Sequence, residues 1–159
     1  MPRVMKYFWI SLLAIVLGAV IILYMFRGTQ PNISVAQETL YIGNTSVAVD
    51  VASTTAARER GLSGRAALPA GRGMLFVFQE DGFWGFWMND MNFPIDIIWA
   101  DASGRVITVA SSVSPYTYPK VFYPAFPARY VLEVPAGFAQ MNGIVEGAQM
   151  SLPRSLSQK

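Results

Sequence analysis

Between residues 71 and 101 the chain sets short apolar runs against brief polar breaks, GRGMLFVFQEDGFWGFWMNDMNFPIDIIWAD. Residues 74–78 are continuously apolar, too short for a helix and bounded by Gly73 and by Gln79-Glu80-Asp81-Gly82, which predicts a strand buried on both faces. Residues 83–88 are aromatic and predict a second strand; residues 95–100, β-branched with Trp99 near the end, predict a third. The polar loop Asn89-Asp90-Met91-Asn92, closed by Phe93-Pro94, separates these two. Trp87, among aromatic neighbours, is expected to serve the core.

Upstream, residues 39–42 and 45–51 flank Gly43-Asn44, a two-residue connection suited to a type II′ hairpin. Alternation of Val47, Val49 and Val51 with Ala48, Asp50 and Ala52 gives that second arm one buried face. Ser53 or Thr54 can cap a short helix through Arg60, with Gly61 as its left-handed stop, and Arg58 and Arg60 read as solvated helix charges. Downstream, Asp101-Ala102-Ser103-Gly104 is a turn of type I composition, followed by a strand over residues 105–113. Residues 114–128 (SPYTYPKVFYPAFPA) hold four prolines and predict an ordered loop, not a central strand. Its aromatics can fold down over an open end of the core, or face outward for a sugar ring or a partner protein. Residues 129–134 predict a strand, 138–142 a helical turn stopped by Gly143, and 144–152 a last strand. Mostly short strands at close spacing with two short helices imply a mainly β (α+β) domain, barrel-like or sandwich-like.

The pattern changes at the front. Residues 7–26 carry no charge over 20 positions, which at about 1.5 Å per residue spans roughly 30 Å, the thickness of a bilayer's hydrocarbon core. A transmembrane signal anchor is the expectation. A cleavable signal peptide would have a shorter apolar run, and the small residues Ser34-Val35-Ala36 lie well beyond Phe26. Arg3 and Lys6 before the segment, against Arg27 after it, keep the N-terminus inside. The expected organisation is a cytoplasmic end over residues 1–6, the anchor over 7–26, a linker over 27–37, an extracytoplasmic domain over 38–152 and a flexible tail over 153–159.

Charge then changes its meaning. Net charge is +2, but setting aside Arg3, Lys6 and Arg27 leaves nine basic against ten acidic residues, so the exported part offers no basic stripe to nucleic acid. The sequence has neither Cys nor His. Disulfides, thiolate nucleophiles, the usual zinc ligand sets and every Ser-His or Cys-His pair are therefore unavailable, and no cofactor or metal site is expected. Asp101, which could be imagined as a metal ligand, is explained by its turn.

The polar residues left for chemistry are Asn89, Asp90, Asn92, Asp96, Arg129 and Glu133. With Trp87 they are the candidate ligand-binding residues; Tyr116, Tyr118, Phe122 and Tyr123 are the candidate partner surface. Asp96 and Glu133 lie inside strand-like apolar runs, where a carboxylate points outward or is buried and paired. Pairing with Arg65 or Arg129 is the structural expectation. Alternatively, some of these residues line a cleft beside Trp87 and Asn89, and two carboxylates about 5 to 10 Å apart across a sugar bond would make a glycosidase.

Several phrases occur in a fixed order: Glu59-Arg60-Gly61-Leu62 with Arg65, Gly73-Met74-Leu75-Phe76-Val77-Phe78, Phe86-Trp87-Met88, Pro94-Ile95-Asp96-Ile97-Ile98, and Tyr130-Val131-Leu132-Glu133-Val134-Pro135-Ala136-Gly137. The set resembles the prokaryotic family called domain of unknown function one hundred and ninety-two, over about residues 47–150. The resemblance implies a small β-rich domain, often secreted or membrane-anchored, with no settled activity. Where the family often has lysine-asparagine after phenylalanine-tryptophan-methionine, this chain has Asn89-Asp90, so lysine chemistry does not carry over. The cysteines that the family often carries in the proline-rich loop are also missing, so a redox role is not available.

The expectation is thus a membrane-anchored, extracytoplasmic, non-catalytic binding module for an envelope glycan or protein. A carboxylate enzyme using Asp90, Asp96 or Glu133 on cell-envelope sugar, and an assembly module of an envelope complex, are the alternatives.

Overall fold

The structure, a computed structural model, describes residues 37–157. Seven strands form one sheet in the order β5-β4-β6-β3-β2-β1-β7. They are β1 (Gln37–Ile42), β2 (Thr45–Ala52), β3 (Arg72–Gly82), β4 (Ile95–Ala100), β5 (Val106–Val113), β6 (Ala128–Pro135) and β7 (Met150–Ser151). Three short helices accompany them: α1 (Thr55–Arg60), α2 (Phe138–Met141) and α3 (Arg154–Ser157). Among the described residues no helix is long and apolar enough to cross a membrane, and the expected anchor over 7–26 lies outside them.

The β1–β2 hairpin turns at Gly43, whose φ of 56° is what the first central position of a type II′ turn demands. Thr54 caps α1 by accepting from the Ala57 N–H, and Gly61 ends it at φ 50°, ψ −135°. The chain then returns through residues 61–71 to lay β3 parallel to β2, while the other pairings are antiparallel. The outer strands meet at one end: Val106 N–H donates to Ala148 C=O, Met150 N–H to Gly104 C=O and Gly147 N–H to Val106 C=O. The sheet is thereby curled toward a barrel.

Side-chain alternation divides the core in two. The inner cluster draws on all seven strands, through residues such as Leu40, Val47, Leu75, Ile98, Leu132 and Met150, and α2 plugs it with Phe138 and Ala139. The outer cluster uses the opposite faces of β3, β4 and β6, including Phe76, Ile97, Trp99 and Val131, with Leu62 and Met88 laid over them by the connecting loops. The centre of the sheet is therefore covered on both faces, which is why all of β4 is buried.

Four expectations are corrected. β3 does not stop at Phe78 but runs on to Gly82, because the exposed Gln79, Glu80 and Asp81 belong to an arm that leaves the body of the sheet before Gly82 pairs with Ala128. Residues 83–88 are not a strand; they form an open segment fixed by one bridge, Phe86 with Phe122. Of the strand expected over 144–152 only β7 forms, since Gly143 and Gly147, both at positive φ, turn the chain on either side of Ile144. In the expected tail α3 forms instead, with Ser155 Oγ donating to the Glu38 carboxylate and Leu156 packed on the inner core.

Candidate functional site

One rung of the sheet sets the site. Asp50 on β2 pairs with Met74 on β3, Met74 with Glu133 on β6, and Glu133 with Ile97 on β4. All four are on the outer face, so Asp50 and Glu133 stand two strand spacings apart, roughly 10 Å. Arg65, delivered by the turn after α1, donates to Asp50 Oδ2 at 2.8 Å, and Arg72 reaches Oδ1 at 3.2 Å.

Glu133 is only 5% exposed. Its Oε2 has no hydrogen-bond partner among the described residues. Burial, opposed by the weaker pull of the Arg65 guanidinium, pushes its carboxyl up to about 8. The group is thus a neutral acid at pH 7, able to donate a hydrogen bond as well as accept one.

Above Glu133 lies a cavity of about 510 Å³. Its walls include Phe76, Phe78, Trp84, Phe86 and Trp87, with Leu62 and Met91. The rings brace one another. Trp84 stacks on Phe78 at 4.1 Å with 7° between planes, and Phe86 stands edge-on to Phe76 at 4.8 Å and to Trp99 at 6.0 Å. Trp99 Nε1 donates to the Trp84 carbonyl at 2.9 Å, tying the loop to β4, whereas Trp84 Nε1 is buried without a partner among the described residues. Toward α1 the wall is polar: Thr55, Arg58, Glu59, Arg60 and Ser63. Arg58 is clamped, its Nη1 donating to the carbonyls of Ser53 and Val77 while its guanidinium covers the Phe78 ring at 5.2 Å. Arg60 is exposed and makes no side-chain hydrogen bond or ion pair among the described residues.

A concave site lined mainly by aromatics with a few convergent polar groups has the make-up of a small-molecule pocket. The family model DUF192, described as Uncharacterized ACR, matches residues 38–152, which contain this whole arrangement. The chain belongs to the DUF192 family. No curated protein matches it. Two solved structures are similar. A proposed transcription regulator from Sinorhizobium meliloti is 26% identical with a TM-score of 0.71, over 76% of this chain and 96% of that one. A protein of unknown function from Novosphingobium aromaticivorans is 26% identical with a TM-score of 0.72, over 79% of this chain and 91% of that one.

Within the DUF192 domain the candidate residues separate. Glu133 and Trp87 line the cavity. Trp87 is not a core residue: it is 57% exposed, at the rim against Tyr118, because residues 83–88 have no sheet to lie in. Asn89, Asp90 and Asn92 brace the turn that carries Arg65. The Asn89 carbonyl accepts from Ser63 Oγ, the Asp90 carbonyl from the Gly64 N–H, and Asn92 Nδ2 donates to the Arg65 carbonyl.

Asp96 belongs elsewhere. It is fully buried on the inner face, where its carboxylate accepts from the N–H groups of Ser112 at 2.6 Å, Gly137 at 3.1 Å and Ala139 at 2.8 Å. Arg129 pairs with Asp81 at 2.7 Å. The expected pairing of Asp96 or Glu133 with Arg65 or Arg129 is therefore corrected: both arginines take other carboxylates, Asp96 is satisfied by backbone, and Glu133 stays neutral instead of pairing. On the proposed partner surface Tyr116, Tyr118 and Tyr123 are exposed, while Phe122 turns inward onto the outer core. Among the described residues no group of three or more carboxylates could hold a metal ion.

Sequence reasoning passed over Arg58, Arg60, Phe78, Trp84 and Phe86 as site residues. The signal was the cluster of basic residues around Gly61 facing an aromatic-rich segment, which reads locally as solvated charge and strand.

Proposed function

We propose that this DUF192 domain is a non-catalytic binding module, held at the outer side of the cell membrane by residues 7–26, that captures a small ring-bearing ligand of the envelope, with saccharide as the leading class. The observation that carries this reading is the Glu133 carboxyl, buried, neutral and without a partner at Oε2 among the described residues, on the wall of a 510 Å³ aromatic cavity. A buried polar group left unpaired costs about 1–3 kcal/mol, and a ligand atom bonded to Glu133 would recover part of it. The aromatic walls supply flat apolar faces, and Trp84 a second hydrogen-bond donor.

Catalysis by the Asp96–Glu133 pair is disfavoured, because the two carboxyls face opposite sides of the sheet and cannot flank one bond. The regulator name carried by the Sinorhizobium protein is not extended to this chain: Arg65, Arg72 and Arg129 are engaged by Asp50 and Asp81. An assembly role draws support from one feature, the exposed aromatics Trp87, Tyr116, Tyr118 and Tyr123, of which Trp87 and Tyr118 meet edge to face. Co-purification of a partner that Tyr116→Ala with Tyr118→Ala abolishes would favour it.

The test is the melting temperature of the full chain against a panel of mono- and disaccharides. A ligand at 100 times its dissociation constant stabilises by about 2.7 kcal/mol, a rise of several degrees. A saturable rise, lost in Trp84→Ala while that variant still melts cooperatively, is expected. Equal melting with every compound would overturn the reading.

A further inference from the structure

The polar wall of the cavity says more about what it holds. Its charged groups are Arg58, Arg60, Glu59 and Glu133, with Arg65 acting on Glu133 from the side of Asp50. Glu133 is uncharged at neutral pH, and the remaining three leave the wall with one positive charge in excess. Of the two arginines, Arg58 has its guanidinium fixed by the Ser53 and Val77 carbonyls and by Thr55 Oγ1, which sets a positive charge in place over the Phe78 ring. Arg60, two residues farther along α1 on the same cavity wall, is the cation that holds no partner among the described residues.

We infer that the ligand is acidic: a single ring bearing one anionic group, with the ring among Phe78, Trp84 and Phe86, the anion at Arg60, and an uncharged acceptor atom meeting the Glu133 carboxyl. This rests on the binding reading above and names the ligand class. A carboxylate or phosphate accepts well from a guanidinium fork. A cationic ring is disfavoured, since it would face Arg58 and Arg60 and find in Glu133 a group that burial keeps neutral. Glu59, exposed and beside Arg60, is the one charge in the wall that opposes the anion, so the preference is moderate in size.

Three sugars of one ring size and different charge test this directly: glucuronate, glucose and glucosamine, titrated calorimetrically into the full chain held in lipid nanodiscs at pH 7 and low salt. Glucuronate is expected to bind at least tenfold more tightly than glucose, with glucosamine the weakest. Arg60→Gln, a change at an exposed position, should bring glucuronate down to the level of glucose. Equal binding of all three, or tightest binding of glucosamine, overturns the acidic assignment while leaving the cavity as a ligand site. If none of the three binds at millimolar concentration, the acidic-sugar assignment and the saccharide reading beneath it both fall.

Discussion

Asp96 and Glu133, the two carboxylates buried in this domain, point to opposite faces of one sheet. In the pairing of β4 with β6, Asp96 lies across from Val134 and Ile97 from Glu133, so the two are one residue out of phase. Alternation sends Asp96 into the curled interior and Glu133 out beneath the aromatic loop. Two carboxyl groups therefore do different work: one collects backbone N–H groups and holds the fold, the other stays protonated in a cavity wall, its Oε2 without a partner among the described residues.

For Asp96 the expected outcome is a loss of stability with no loss of binding. Asp96→Ala leaves the N–H groups of Ser112, Gly137 and Ala139 without their acceptor, at about 1–3 kcal/mol each, so urea unfolding should move by at least about 3 kcal/mol. Asp96→Asn keeps one acceptor oxygen and should lose less. An unchanged unfolding midpoint in Asp96→Ala would show that α2 is held in some other way.

Glu133 should leave its mark on the pH dependence of stability. Its folded value of about 8 lies above the ordinary 4.5, so between these two values the native state keeps a proton that the unfolded state has lost. This contribution is complete below about pH 4.5 and disappears as the pH rises to about 8, with a slope approaching 1.4 kcal/mol per pH unit in that window. Glu133→Gln cannot titrate and should flatten the slope. Denaturation series from pH 5 to pH 9 on both proteins decide it; parallel curves would mean that the Glu133 carboxyl is ionised in the native state.

Asp50 and Glu133 are coupled through Arg65. Asp50→Asn removes the charge that Arg65 and Arg72 share, which should cost about 1 kcal/mol at these partly exposed positions. It also leaves Arg65 uncompensated, so the Glu133 midpoint should fall. A Glu133 midpoint that does not move in this variant would break the proposed line from β2 to the cavity.

Gly73 is required by a close approach and not by its turn chemistry. A Cβ there would sit 2.8 Å from the Glu133 carbonyl oxygen, with Val134 and Leu132 side chains at 3.1 and 3.2 Å. Since the obstacle is backbone, Gly73→Ala should force β3 from β6 at the rung that carries Glu133 and cost about 1–3 kcal/mol. A melting temperature equal to that of the parent would contradict this.

Much of the fold was legible wherever local chemistry decides it. Gly43-Asn44 marked the hairpin, Thr54 and Gly61 bracketed α1, and Asp101 to Gly104 formed the expected turn, with Asp101 Oδ1 accepting from Ser103 and Arg105. Although partial burial works against it, those bonds hold the Asp101 carboxyl below its ordinary range. The sequence misled where tertiary pairing decides. Phe83 to Met88 has strand composition, yet no neighbour is available to it beyond Phe122, and its rings wall a cavity instead. Asp96 and Glu133 were both recognisable as carboxylates inside strands. Which face each takes follows from the register of β4 on β6, and register is a long-range property that no local pattern displays.

Glu133 is the neutral acid on which ligand capture turns. The direct measurement is a carbon-13 NMR titration of its side-chain carboxyl in the full chain, identified by its absence in Glu133→Gln, without and with saturating glucuronate. A midpoint near 8 is expected in the free protein, moved upward by the ligand whose acceptor atom the protonated carboxyl meets. A midpoint near the ordinary 4.5, or one that saturating glucuronate leaves in place, would contradict it.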